Sequence, residues 1–405
     1  MLRDRGAPHA MPFSGLNAEL RRAGPGRPVI VLDLDALDAN LAAVKRNVAP
    51  GLAVRVVAKS LPSVPLLRHV MERLGTSRLM VFDGSVSALA REVPDADLLL
   101  GKPLPAQAAC AFYNERGRDS DGDPGARVRW LVDTPARAEE YAAIACAAGA
   151  TARVAVEIDV GLHRGGAANE DELRAILRVI QADPKHLRFA GLMGYDAHVP
   201  SAPPLLSSPS RAFAEATARF AALREAVRAH DPSMIEGDPV WNGGGSKTYM
   251  RYHDGGPVNE TALGSCLVMP TDFDVPSLAE HVPAVFIATP VLKRLAGSRV
   301  PFIEWAARAW AAIDPNREVT YFIFGGGWMA RPVSPAGLVD NPVYGFSTNQ
   351  AMLNGSARTA LDVDDWVFLR PTQSERVMAD FGALRLVRGG RLTGTWPVLA
   401  LAPDA

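Results

Sequence analysis

Lys59 closes the apolar β-type run Val54-Arg55-Val56-Val57-Ala58 and is followed at once by Ser60-Leu61-Pro62-Ser63, which breaks a strand. A lysine at the C-terminal edge of a strand, in apolar surroundings that disfavour its charge, is suited to forming a Schiff base with an aldehyde. A solvated surface lysine fits the same position, so the reading depends on what else the chain supplies. Asp159-Val160-Gly161-Leu162-His163-Arg164-Gly165-Gly166 follows the run Val154–Ile158 and sets an arginine among glycines that let a ligand approach the backbone closely. An ordinary loop arginine paired with a carboxylate is the plainer alternative. Gly194-Tyr195-Asp196-Ala197-His198 follows a run ending at Met193, and there His198 can equally be a simple loop histidine. The stretch Trp241-Asn242-Gly243-Gly244-Gly245-Ser246-Lys247-Thr248 gives a strand, then three glycines whose N–H groups can cradle a phosphate, then hydroxyls. It lacks the G-x-x-x-x-G-K-[ST] spacing of a nucleotide P-loop, and a tight turn with positive φ is the competing explanation. Leu263-Gly264-Ser265-Cys266 could add donors beside it.

The elements that must position these groups alternate between short β-branched runs and longer amphipathic stretches, the pattern of parallel βα units. The strand candidates are Val29–Leu34, Val54–Ala58, Arg78–Phe82, Asp97–Leu100, Val128–Val132, Val154–Ile158, Phe189–Met193, Pro239–Trp241 and Thr261–Val268. Leu37–Val48, Val64–Leu74, Ala136–Ala148, Glu170–Gln181 and Ala212–His230 read as helices, several with a Ser, Asp or Thr near the start as a cap. Eight such units in about 250 residues predict an α/β fold built on a closed (β/α)8 TIM-type barrel. Val29–Leu34 is the strand to set outside it, because Leu37–Val48 can lead as a helix into the strand that carries Lys59. In this fold the loops after the last strands are a common phosphate site, which favours the glycine cradle. From about Val275 the texture changes to short strands and turns, including Val285-Phe286-Ile287, Val319–Phe324, Trp366-Val367-Phe368 and Ala383–Val387. The expected domains are a barrel over 28–274 and a C-terminal, mostly β domain over 275–405, with residues 1–27 packing on the latter. A second triple glycine, Gly325-Gly326-Gly327, belongs to the β domain and reads as a turn.

Composition narrows the chemistry. The 405 residues carry 43 basic and 44 acidic side chains, so no basic field attracts a phosphate backbone or an anionic membrane, and a small-molecule partner is expected. Three scattered cysteines, Cys110, Cys146 and Cys266, fit reduced thiols rather than a disulfide framework or a zinc site. Residues 1–28 lack the apolar core of a signal peptide, and no run reaches the roughly 18 apolar residues of a membrane span, so the cytoplasm is the expected location. No H-E-x-x-H or G-x-S-x-G motif supports metalloprotease or serine hydrolase chemistry.

As an ordered set, Lys59, Asp159–Gly166, Tyr195–His198, Asn242–Ser246 and Gly264-Ser265 resemble the alanine racemase fold of pyridoxal phosphate enzymes, most of all its D-threonine aldolase and D-serine dehydratase branch. The resemblance runs from about residue 27 to the C-terminus. It implies that Lys59 holds pyridoxal 5'-phosphate through a Schiff base, that Arg164 lies near the phenolic oxygen of the cofactor, and that Tyr195 and His198 lie close to its ring. Asn242, Gly243, Gly244, Gly245 and Ser246, with Gly264 and Ser265, would form the phosphate side of the site. It further implies a homodimer and a lyase acting on a D-configured β-hydroxy amino acid, by aldol cleavage or by dehydration with loss of ammonia. An amino acid racemase and a non-enzymatic pyridoxal phosphate carrier are the rivals. Relatives in this branch often place a divalent metal near the substrate hydroxyl, yet Pro371-Thr372-Gln373-Ser374-Glu375 puts Gln373 and Glu375 at those positions. An amide oxygen and a carboxylate suit zinc poorly, and the alternative is that Glu375 acts directly as acid or base, or that both residues bind substrate. Cys266 stands where many relatives have tyrosine.

Overall fold

Apolar residues at a period of two or of about 3.6 fix the elements, and charged side chains then close the ring that they build. The computed structural model describes residues 3–116, 126–297, 313–341 and 347–399. The chain opens with helix α1 (Phe13–Ala23), strand β1 (Val29–Asp33) and helix α2 (Leu34–Asn47). Eight parallel strands follow: β2 (Ala53–Val57), β3 (Arg78–Val81), β4 (Asp97–Leu100), β5 (Val128–Val132), β6 (Ala152–Ile158), β7 (Leu187–Gly194), β8 (Val240–Gly243) and β9 (Glu260–Leu263). Each pairs with the next and β9 returns to β2, so the barrel is closed. Between the strands lie α3 (Val64–Leu74), α4 (Ser85–Glu92), α5 (Ala106–Arg116), α6 (Pro135–Ala147), α7 (Glu170–Ala182) and α8 (Pro209–His230).

The helix ends follow their local chemistry. Side chains of Thr134, Asn169 and Ser208 accept from the backbone N–H groups of Arg137, Glu172 and Arg211, capping α6, α7 and α8. Acids at Glu170, Asp171 and Glu172 complement the start of α7, while Leu173, Ile176, Leu177 and Ile180 form its buried stripe. α1, α4 and α5 are helices that the sequence reading did not include; α5 is alanine-rich and has no marked apolar stripe.

The core has two compact units: Leu41–Cys266 with Val275–Glu280 is the barrel, and Met1–Asn40, Leu267–Asp274 and His281–Leu399 form the second. The second unit is built on a nine-stranded sheet. Besides β1 it contains β10 (Val285–Ala296), β11 (Val319–Phe324), β12 (Ala330–Ser334), β13 (Val339–Asp340), β14 (Gln350–Gly355), β15 (Trp366–Pro371), β16 (Ala383–Arg388) and β17 (Arg391–Pro397), with the short helix α9 (Ser374–Met378) after β15. β1 lies between β10, which runs antiparallel to it, and β16, which runs parallel, so this strand belongs to the sheet and not to the barrel. Leu16, Leu20, Val29, Val31, Ala288, Trp366, Phe368 and Val387 form its apolar cluster. β12, β13, β14 and β17 were not legible in the sequence; β12 contains Pro332, and β17 is mostly exposed. The Gly325–Gly327 turn has φ values of +75°, +142° and +72°, and a Cβ on Gly326 would lie 2.3 Å from that of Ala351. Among the described residues no helix is long and apolar enough to cross a membrane.

Inside the barrel, toward the N-terminal ends of the strands, charge is tightly paired. Arg55 of β2 is fully buried and donates from Nε and Nη2 to Glu260 of β9 at 2.6 and 2.9 Å. Its Nη1 donates to the Asp97 carboxylate and to the carbonyls of Leu79 and Asp97. Arg78 and the Asn242 amide also donate to Glu260, each at 2.8 Å, and Arg129 pairs with Asp97. Burial opposes ionisation of Glu260, but Arg55 and Arg78 outweigh it and hold its carboxyl below the ordinary 4.5. Glu260→Ala is therefore expected to cost about 3–5 kcal/mol, because it strands buried guanidinium groups. Urea unfolding at pH 7 measures this. The contribution is complete above the ordinary value, and acidification through the lowered one removes it. Wild type and variant should thus converge toward low pH.

Candidate active site

The loops that leave the C-terminal ends of β2, β3, β6, β7, β8 and β9 touch one another in sequence around the barrel mouth. Lys59 sits in a short 3₁₀ turn, Ala58–Ser60, just past β2. It is exposed at the mouth, with Nζ 4.5 Å from the centroid of Phe82, the residue after β3. Lys59 is thus exposed rather than enclosed by the apolar surroundings expected from sequence, and the Phe82 ring offers its π face to a cation. Next to Lys59, the Ser60 and Ser265 hydroxyls are hydrogen-bonded at 2.9 Å. Gly264 passes so close that a Cβ there would lie 2.9 Å from the Val57 Cβ and 3.0 Å from that of Ser60. Only hydrogen fits between the two loops.

Ser246 joins the glycine loop after β8 to the loop after β9. Its Oγ accepts from the N–H groups of Gly264 at 3.0 Å and Cys266 at 3.2 Å. Gly244 has φ +78°, and a Cβ on it would lie 2.5 Å from Thr261 Oγ1 and 2.9 Å from the Tyr252 ring. At Gly245 the added carbon would lie 2.8 Å from the ring of Tyr195. This is a cradle of bare backbone walled by side chains, suited to a small anion. Thr261 Oγ1 is buried there without a hydrogen-bond partner, a polar atom that a bound group could satisfy. Cys266 is fully buried and burial pushes its thiol up to about 12, so it serves as packing and not as a nucleophile.

Tyr195 links this cradle to the arginine loop, for the Arg164 guanidinium lies over its ring at 4.9 Å. His198 packs on the same loop, its Nε2 being 3.1 Å from where a Cβ of Gly161 would stand, and its buried Nδ1 has no partner. The arginine loop owes its form to Asp159. One carboxylate oxygen accepts from the N–H groups of Gly161 and His163, and the other bonds the His163 ring at 2.7 Å. These contacts hold His163 at φ +55°, an uncommon conformation for a residue with a side chain.

Lys59, Arg164, Tyr195, His198, Gly243, Gly244, Gly245, Ser246, Gly264 and Ser265 thus share one rim. Asn242 differs: its side chain is committed to Glu260 in the barrel floor. Gln373 and Glu375 belong to the sheet unit, at the start of α9. There the Gln373 amide donates to Asp272 at 3.3 Å and Ser374 donates to Glu375 at 3.3 Å. Among the described residues no three His, Cys, Asp or Glu side chains are grouped as metal ligands.

Sequence reasoning passed over Glu157, two residues before Asp159. Strand alternation places Glu157 on the same side as Asp159, and that spacing was a signal available in the sequence. Burial pushes its carboxyl up to about 7; Arg164 opposes the rise, and Asp133 and Asp159 add to it. Burial also works against the charge of Asp159, but the His163 and Gly161 N–H groups and the His163 ring outweigh it and hold that carboxyl below its usual range. Two neighbouring carboxyls are thereby separated, one able to carry a proton near neutrality and one not. Asp196 and Tyr252, both buried, were also not named as parts of the site, whereas Thr248 was read only as a hydroxyl after the glycines.

A family model described as alanine racemase, N-terminal domain, matches residues 32–272. An alanine racemase of Mycolicibacterium smegmatis is 31% identical over 170 residues, 42% of this chain and 41% of that protein. The chain thus matches about two-fifths of the length of this curated relative. Among solved structures, D-threonine aldolase from Filomicrobium marinum aligns with a TM-score of 0.71 at 21% identity, covering 92% of this chain and 94% of that one. D-threo-3-hydroxyaspartate dehydratase from Delftia sp. HT23 gives 0.71 at 18% identity, covering 92% and 97%. Alanine racemase from Bacillus anthracis gives 0.67 at 15% identity, covering 92% and 98%. At these identities the alignments establish a shared fold.

The raised carboxyl of Glu157 has a measurable consequence. The folded chain binds this proton more tightly than the unfolded chain, so its stabilisation is full below the ordinary 4.5 and is lost as pH rises through about 7. Glu157→Gln removes that loss. Its stability relative to wild type should rise between pH 5 and pH 8, by on the order of 1–3 kcal/mol, in urea unfolding of the cofactor-free protein. A difference that does not change with pH would refute the assignment.

Proposed function

This chain belongs to the alanine racemase N-terminal domain family, and from that premise we propose that it is a pyridoxal phosphate-dependent lyase acting on a D-configured β-hydroxy amino acid. The observation that carries the reading is the connected rim, which has Lys59 beside the Ser60–Ser265 contact and a glycine cradle closed by Ser246. The residues fit the cofactor: a lysine for its aldehyde, a glycine loop packed too closely on Tyr195, Tyr252 and Thr261 to admit any Cβ and so presenting bare backbone, and an unpartnered Thr261 hydroxyl beside it. Family membership extends to the cofactor; the lyase assignment, the homodimer and the individual residue roles are our reading.

Bound there, the cofactor supplies an electron sink for a bond broken at the substrate Cα. The chain does the rest. Lys59 would hold the aldehyde. Gly243–Ser246, with Gly264 and Ser265, would hold the phosphate. Arg164, whose guanidinium lies over the Tyr195 ring, would supply positive charge to the polar side of the cofactor. Glu157 can hold a proton near Arg164 at neutral pH. Aldol cleavage requires a base that takes the proton of the β-hydroxyl as the Cα–Cβ bond breaks, releasing an aldehyde and leaving glycine. Dehydration requires removal of the Cα proton and donation of a proton to the departing hydroxyl, giving a keto acid and ammonia after hydrolysis. Glu375, which stands where relatives of this branch keep a metal ligand, would serve as acid or base at that hydroxyl or would bind substrate together with Gln373.

The aldolase and dehydratase among the structural neighbours support this reading. An amino acid racemase is the second reading, supported by the 31% identity to an alanine racemase. Two measurements decide. Adding pyridoxal phosphate to the cofactor-free chain should produce the visible absorbance of a Schiff base, and Lys59→Ala should abolish it; a band that persists would show that another group anchors the aldehyde. Incubation with D-threonine, D-serine and D-3-hydroxyaspartate should give glycine plus aldehyde, or keto acid plus ammonia, whereas inversion alone would establish the racemase. Repeating the assay with EDTA should leave the rate unchanged, because Gln373 and Glu375 make a poor metal pair.

A further inference from the structure

Asp196 lies beneath the rim and takes no part in the chemistry described above. It is 1% exposed, and both carboxylate oxygens are occupied. Oδ1 accepts from the Thr248 hydroxyl at 2.6 Å and Oδ2 from the Tyr252 hydroxyl at 2.9 Å. Its chain neighbour Tyr195 carries the Arg164 contact, and that ring also walls the cradle at Gly245. Thr248 ends the glycine turn, in which the N–H groups of Thr248 and Tyr249 both bond the Gly245 carbonyl at 2.9 Å. The Tyr252 ring fills the space beside the other two glycines: a Cβ would lie 3.2 Å from its hydroxyl at Gly243 and 2.9 Å from its ring at Gly244. One buried carboxylate therefore ties the loop after β7 to two points of the loop after β8.

We propose that Asp196 is a positioning residue that sets the shape of the phosphate cradle through Thr248 and Tyr252, and so makes binding selective for the phosphorylated form of the cofactor. It acts through those two side chains, since its carboxylate is buried and each oxygen is engaged by one of the two hydroxyls. This inference rests on the cofactor reading above and goes beyond it by naming the residue that holds the cradle in register with the aromatic wall. Buried hydrogen bonds of this kind are costly to leave half made, so removing the acceptor should let both the Tyr252 ring and the glycine turn relax.

The test titrates the full-length, cofactor-free chain with pyridoxal 5'-phosphate and, separately, with pyridoxal, which has the same aldehyde and ring but no phosphate. Asp196→Ala should weaken pyridoxal phosphate binding at least tenfold and pyridoxal binding less than twofold. Asp196→Asn, whose amide can still meet both hydroxyls, should recover most of the loss. Thr248→Val/Tyr252→Phe deletes both donors while keeping Asp196 in place, and it should show the same phosphate-selective loss. That double variant decides the matter if Asp196→Ala does not fold. Equal losses for the two ligands would mean that Asp196 merely supports the fold, and unchanged affinities would mean that the cradle does not depend on it; either result overturns the proposal. Wild-type protein that binds pyridoxal but gains nothing from the phosphate overturns this inference and leaves the Lys59 anchor standing. Failure to bind either aldehyde overturns the cofactor reading and this inference with it.

Discussion

The seam where the last barrel strand meets the first is the constraint on which the site depends. β9 and β2 pair in parallel from Ala53↔Glu260 to Val56↔Leu263, joining segments about two hundred positions apart in the chain. Along the same seam Arg55 meets Glu260 in the interior and Ser60 meets Ser265 at the mouth, each pair separated by 205 residues. The register is enforced at both ends: a shift by one residue would unpair a buried guanidinium and would also drive Gly264 away from Val57. Lys59 and the glycine cradle are neighbours because the barrel closes there.

The two ends of the barrel use polarity differently. Toward the N-terminal ends of the strands, Arg55, Arg78, Arg129, Asp97, Glu260 and Asn242 pair with one another, so those charges serve cohesion, with Arg129 Nε left buried without a hydrogen-bond partner. At the C-terminal end several polar groups keep unused capacity. Thr261 Oγ1 and His198 Nδ1 are buried without partners, and Glu157 holds a proton that burial makes hard to lose. Buried unpaired polar atoms also occur elsewhere, as at Trp130 Nε1 and His230 Nε2, and what sets Thr261 and His198 apart is their place beside the glycine and arginine loops.

The strands of the barrel were legible because parallel strands are buried on both faces and read as short β-branched runs, as Val128–Val132 does. The eight barrel runs proposed from sequence all became strands, with ends displaced by a few residues. Edge strands of the other sheet carried no such signal. Ala330–Ser334 alternates half-buried and exposed residues around Pro332, and Arg391–Pro397 is largely exposed, so neither is set by hydrophobicity. Their pairing is decided by neighbours such as Trp366–Pro371 and Ala383–Arg388.

The site divides in the same way. By itself the sequence determined the kinds of chemistry on offer: a lysine at a strand end, an arginine among glycines, a Tyr-x-x-His step and a triple glycine with a following serine. Those are local facts, set by residue type and by backbone freedom at positions such as Gly244, and short-range order preserves them. The tertiary structure alone decided which side chains share a surface. It turned Asn242 into the barrel floor, buried Cys266, paired Asp159 with His163, and placed Asp196 between Thr248 and Tyr252. Burial and through-space charge depend on strands closing into a ring, and a linear pattern carries no record of which loops that closure brings into contact.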